Sequence, residues 1–82
     1  MDHVIRTAEQ LKTTIKAFRK AKKLSQKELA ARMGVTQQAQ SALEAQPQAA
    51  SFERLMQLLS VLEVEITLRD KRPAKNQQQA EW

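Results

Sequence analysis

Eighty-two residues make one small domain whose core is marginal alone, so help from self-association is expected. Cysteine is absent and there is one histidine, which excludes disulfides, thiolate metal sites, cysteine nucleophiles and any histidine-built metal site; no catalytic residue, cofactor or metal is expected. The formal charge is +5, and its distribution matters more than its total: residues 1–33 carry +6 and residues 34–82 carry −1. No apolar run approaches the length of a membrane span, and the Met-Asp-His start does not read as a signal peptide. A cytoplasmic protein without membrane contact is expected.

In chain order, Thr7 and Gln10 have capping-box spacing, after which Ala8, Leu11, Ile15 and Phe18 recur at three and four residues. This predicts a first helix from about Ala8 to Lys23, with its apolar stripe inward and Lys12, Lys16, Arg19 and Lys20 largely off it. Ser25 and Glu28 repeat the capping-box spacing for a second helix. It stops at Gly34, the only glycine, which takes a left-handed backbone without steric cost. Thr36 is a suitable N-cap for a third helix that starts at once.

Two short helices around such a turn have the layout of a helix-turn-helix. Leu29, Ala30, Met33, Val35 and Leu43 are its expected buried side. Gln26, Lys27, Gln37, Gln38 and Ser41 remain for a partner and suit phosphates and base edges. A basic helix in isolation reads as a solvated face. Beside this motif it reads as a phosphate-binding surface, which adds Arg19 and Lys23 to the candidates.

The stretch Gln46-Pro47-Gln48 ends the third helix, because proline cannot continue it and disfavours helical backbone in the residue before. Ser51 caps a fourth, with Phe52, Leu55, Met56, Leu59 and Leu62 on one side, extended by Leu58. That surface is broader than one small core needs. Residues 63–69 alternate strictly: Val64, Ile66 and Leu68 share one face, and Glu63, Glu65, Thr67 and Arg69 the other, which predicts a half-buried strand. No other segment reads as a strand, so this one is expected to pair with its own copy across a two-fold axis. A dimer of that kind places two reading helices roughly 34 Å apart and predicts a palindromic operator.

The expected architecture is therefore mainly α, with a helix-turn-helix and dimerisation domain over residues 1–69 and a disordered polar tail over residues 70–82. The tail ends in Trp82, the only tryptophan. Composition alone favours an uninformative terminal aromatic over an interface anchor.

The motif Gln26-x-x-Leu29-Ala30-x-x-x-Gly34-Val35-x-Gln37-x-x-x-Ser41-x-x-Glu44 resembles the helix-turn-helix of the lambda-repressor and Cro group. Leu58-Leu59-x-x-Leu62-Glu63-x-x-x-Thr67-Leu68, with a tail ending Gln-Gln-x-Ala-Glu-Trp, is similar to HipB antitoxins. The resemblance runs from about Thr7 to Trp82. It implies a four-helix lambda-repressor-like fold and a homodimer joined through its C-terminal strands. It further implies autoregulation of a toxin-antitoxin operon and binding of a HipA-like serine/threonine kinase toxin.

Carried over residue by residue, Gln26 meets phosphate at a helix N-terminus with Lys27 beside it. Thr36, Gln37, Gln38 and Ser41 fall where the reading helix meets the major groove, and Trp82 becomes the toxin anchor. Gln37 is the candidate for a bidentate contact to adenine N6 and N7. The resemblance leaves open whether such a protein neutralises the kinase itself or assists a separate small antitoxin.

Gln40 departs from the pattern, standing where these repressors usually place an inward Ile or Val. Either its amide finds a hydrogen-bond partner, or the third helix is rotated or looser than usual, because burying it without partners costs about 1–3 kcal/mol. Two other readings remain at this point: a phage-type repressor without a toxin, and a toxin-binding module with weak DNA binding, to which Gln40 gives a foothold. An enzyme is disfavoured by the absence of cysteine, a usable histidine, a glycine-rich loop or paired acids in an apolar setting.

Overall fold

The computed structural model describes residues 3–71; Trp82 and the tail from residue 72 lie outside them. Four α-helices follow one another: α1 Ala8–Ala21, α2 Gln26–Met33, α3 Gln37–Ala45 and α4 Phe52–Val61, with a 3-10 turn at Pro47–Ala49 between the last two. Each α-helix opens as its sequence dictates. Thr7 and Ser25 form complete capping boxes with Gln10 and Glu28, while Thr36 and Ser51 accept from the N–H groups of Ala39 and Arg54. These bonds satisfy donors that no helical carbonyl can reach.

Helices α1, α2 and α4 close in a common way. Leu24, Val35 and Val64 donate their N–H groups to the carbonyls of Arg19, Ala30 and Leu59, and each follows a residue with positive φ: Lys23 at 59°, Gly34 at 74° and Glu63 at 61°. This is the left-handed helix stop, completed by an apolar residue folding back onto the helix. Helix α1 accordingly ends at Ala21, with Lys22 as its C-cap, rather than running to Lys23. The left-handed residue turns the chain into α2.

The core gathers Ile15, Leu24, Leu29, Met33, Leu43, Leu58 and Leu62 from all four helices and the segments that follow α1 and α4. Leu11, Phe18, Val35, Leu55 and Val64 pack against it at half depth. Leu58 lies at the centre and is wholly buried, whereas Phe52 at 68% and Met56 at 38% exposure leave the predicted apolar side of α4 partly open. Gln57 donates its amide to the carbonyl of Met33 at 3.0 Å and ties α4 to the end of α2.

The strand expected over residues 63–69 is not formed in the single chain. Residues 64–70 have no regular secondary structure, and the described residues contain no strand. Val64 is half-buried, while Ile66 and Leu68 are exposed. The alternating pattern makes a strand only when a second strand takes its N–H and C=O groups, and one copy offers none. Among the described residues no helix is long and apolar enough to cross a membrane, and none of their His, Asp and Glu side chains form a metal-holding group of three.

Candidate nucleic-acid interface

Helices α2 and α3 pack closely on each other about the Ser-free turn at Gly34–Thr36, with Leu29, Ala30 and Met33 of α2 and Leu43 of α3 facing inward. Burying that side leaves the opposite side of α3 outward by helical phase. Thr36, Gln37, Gln38 and Ser41 are all exposed, as are Lys27 at the start of α2 and Lys23 just before it. Gln37 and Ser41, four apart, lie one turn above each other. The hydroxyl of Thr36 accepts the Ala39 N–H at 3.0 Å and keeps its own proton to donate outward.

Glu9, Glu28 and Glu53 stand in the first turns of α1, α2 and α4, but α3 has no acid in its first turn. The positive end of its dipole is therefore uncompensated, on the side where Gln37 and Gln38 stand.

Behind this surface is a polar cluster that chain order does not reveal. Glu44, buried on the inner side of α3, accepts from Arg19 Nε at 3.0 Å, from Gln26 Nε2 at 3.3 Å and from Gln40 Nε2 at 3.0 Å. Arg19 also donates Nη1 to the Leu24 carbonyl at 2.8 Å. One carboxylate thus joins α1, the first residue of α2 and α3. Arg19 is 9% exposed, so its placement on the phosphate surface is corrected: its guanidinium is the counter-charge that makes a buried Glu44 tolerable. Gln26 is half-buried with its amide turned toward Glu44.

The departure at Gln40 is resolved by its first alternative. The side chain is fully buried and finds Glu44 Oε2 one turn along, and α3 remains a regular helix over nine residues. Its Oε1 has no hydrogen-bond partner among the described residues. Gln26 and Glu44 of this cluster stand in the recognised motif, and Gln40 and Glu44 are one helical turn apart, but nothing in the sequence spacing announces that Arg19 and Gln26 meet them. The available signal was that an acid and an arginine each fall on an otherwise apolar helix face.

The flank of α3 toward α4 is different in kind. Ala39, Ala42, Gln46, Ala49 and Ser51 line an open groove of about 300 Å³, where Arg54 is the basic residue and donates to Gln57 at 3.1 Å. Charge for a polyanion is thus concentrated on the α1 and α2 side.

A DNA-binding regulator of the helix-turn-helix class is what this fold and surface define. Residues 15–68 match the Helix-turn-helix family, and the chain belongs to that family, in its Cro and lambda-repressor form. Among solved structures it is similar to a HipB–O1–O2 complex, at 29% identity over 84% of this chain and 100% of the other, with a TM-score of 0.76. It is similar also to a HipA–HipB–O2–O3 complex, at 28% identity, 87% and 100% coverage and a TM-score of 0.77. No curated protein matches it significantly in sequence.

Proposed function

We propose that this protein is a HipB-like antitoxin that represses its own operon as a homodimer and binds a HipA-like kinase toxin. The observation that carries the proposal is the exposed set Gln37, Gln38 and Ser41 on a reading helix locked from behind by Glu44, in a chain that superposes on HipB. The O1, O2 and O3 of the similar complexes are read as operator sites, and HipA as the kinase partner of that HipB. Gln37 is assigned the adenine contact, worth about 1–3 kcal/mol of discrimination. Thr36, Gln38 and Ser41 complete the groove contacts, and Gln26, Lys27 and Lys23 meet phosphate. For Gln26 this requires its amide to be shared between Glu44 and the incoming phosphate.

The dimer supplies what the single chain lacks. Val64, Ile66 and Leu68 pair with their copies in a two-stranded sheet, and the open apolar flank of α4 at Phe52 and Met56 gives the second subunit something to cover. The accommodation of Gln40 inside a regular α3 removes the ground for a degraded reading head, so repression is favoured over a module that only sequesters toxin. Trp82 is assigned to the toxin, at the end of a tether that begins near residue 70.

Separate sites are testable by Trp82→Ala. Affinity for the kinase is expected to fall while operator affinity is unchanged, each measured by titration with purified partner. Equal loss of both would contradict the assignment, as would unchanged kinase binding, and a wild type that binds no kinase would favour a repressor without a toxin partner.

A further inference from the structure

Removing Arg19 from the surface raises the question of which cations on α1 remain for a polyanion, and the contacts of that helix answer it. Ile15 points into the core. To one side of it Lys22 reaches Glu63 beyond α4 at 2.8 Å, and to the other Arg19 reaches Glu44 in α3 at 3.0 Å. At about 100° per residue, Lys12, Lys16 and Lys20 fall on the Arg19 side, further out than Arg19 itself, and Lys23 follows in the turn that leads from α1 to α2. They therefore emerge along the edge of the molecule shared with α3 and with Gln26, three residues after Lys23.

The four form a stripe. Lys12 to Lys20 covers about 12 Å of helix, and Lys23 and Lys27 continue it past the turn. Lys12 is half-buried along its stem and the others are exposed. On α1, Arg19 pairs with Glu44 and Lys22 with Glu63, and among the described residues none of the four lysines has an acid partner. Glu9 is the acid sharing their side of α1, and it pairs with none of them. A row of like charges at this spacing repels itself unless a line of anions neutralises it. Lysine is a compact point charge without the planar fork that reads a base edge, so the row suits a backbone and carries no sequence preference.

We propose that Lys12, Lys16, Lys20 and Lys23 form a phosphate track on α1 that holds duplex DNA beyond the base pairs met by α3. The track extends the protein's footprint past the read half-site, in a sequence-independent manner. It rests on the DNA-binding reading above and adds a second surface to it. The opposite flank, with its alanine-lined groove, has no equivalent, so the flanking contact is one-sided.

The test compares the wild type, Lys12→Gln/Lys16→Gln/Lys20→Gln, and a control Arg6→Gln/Arg32→Gln/Lys71→Gln that removes the same charge elsewhere. Glutamine keeps the helix propensity of lysine, and Lys23 is left alone because it forms the helix stop. Affinity for a duplex of the upstream region and for a scrambled duplex of equal length is measured across salt concentration. Each lost phosphate contact lowers the slope of log affinity against log salt by about 0.9, so the track variant is expected to fall by about 3 units of slope per protomer. Its preference for the upstream sequence over the scramble is expected to be intact, and the control to lie near the wild type.

Track and control variants with equal slopes would overturn the proposal; a loss of kinase binding alone would then assign the lysines to a protein partner. A slope that falls in the track variant while the wild type binds both duplexes equally would support the track and refute the repressor reading. A wild type that binds neither duplex overturns both.

Discussion

Three positive-φ residues end three helices, and only one of them is glycine. Gly34 at 74° has open space where a Cβ would sit, so a side chain there meets backbone strain and no neighbour. Gly34→Ala is expected to destabilise by about 1 kcal/mol, and Gly34→Asn by less, because asparagine tolerates the left-handed region. Lys23 stands at 59° in the same geometry, so Lys23→Gly is expected to stabilise by up to about 1 kcal/mol. Opposite signs for Gly34→Ala and Lys23→Gly in urea denaturation check the reading; equal signs would contradict it. This also explains why the end of α1 was misplaced by two residues in the sequence. The Gly34 stop was legible because its residue type declares it, whereas Lys23 and Glu63 adopt the same backbone for the sake of the apolar residues that follow them.

Arg19 and Glu44 make the second argument at this scale. Removing one member of a buried pair leaves an uncompensated charge, so Arg19→Met is expected to cost about 3–5 kcal/mol, a large part of the stability of a small domain. Arg19→Met/Gln40→Ile/Glu44→Leu removes the charges together with the unpartnered Gln40 Oε1, and is expected to recover most of that loss. A triple variant no more stable than Arg19→Met would show that the cluster is not the reason the single change hurts. The sequence placed Arg19 on the surface because charge is the default sign of exposure. The partner that reverses the default is 25 residues away.

At the scale of elements, the helix starts were legible and their energetics follow from the same bonds. The Ser25 N–H donates to Glu28 Oε1 at 2.8 Å. That bond first, then the Ser25 hydroxyl, holds the Glu28 carboxyl below its ordinary value of 4.5. Lys22 acts likewise on Glu63, first through its hydrogen bond and then through its charge. A carboxylate with a lowered folded-state pKa contributes stability above its unfolded value and loses it as pH falls through the folded value. Acidification below about pH 4.5 is therefore expected to loosen the start of α2, the helix that carries Gln26 and Lys27. Glu28→Gln keeps an acceptor for the Ser25 N–H and is expected to flatten this part of the acid dependence in a denaturation series. An unchanged acid profile would count against it.

The segment after α4 marks where local pattern stops being informative. Residues 63–69 carry a strand's alternation, and among the described residues of the single chain no second strand lies beside them, because a strand is a property of two segments and a sequence displays one. The pattern is thus better read as a demand for a partner than as an element of the monomer.

For the whole molecule, the helix-turn-helix was legible because its cap, turn and apolar spacing are all local. The orientation of α1 was not, since it depends on Glu44 of α3 and Glu63 beyond the end of α4 meeting it. That orientation decides which basic residues are structural and which face outward. It also bears on the uneven charge of the chain: the basic first half surrounds the surface assigned to DNA, while the described residues of the second half supply the open apolar flank of α4. If Val64, Ile66 and Leu68 join two copies, Leu68→Lys, which alters a side chain 93% exposed in the single chain, is expected to shift the protein toward monomer in sedimentation. It should weaken operator binding by halving the contacts; a protein that is monomeric from the outset would refute the pairing.

The central claim is that α3 reads a palindromic site upstream of the chain's own coding sequence. It is tested most directly by titrating that duplex with wild type and Gln37→Ala at two salt concentrations. Tight, salt-sensitive binding in preference to random DNA, weakened by about 1–3 kcal/mol in Gln37→Ala at both salts, is the predicted result. Equal affinity for the upstream and random duplexes, or full affinity in Gln37→Ala, would contradict it.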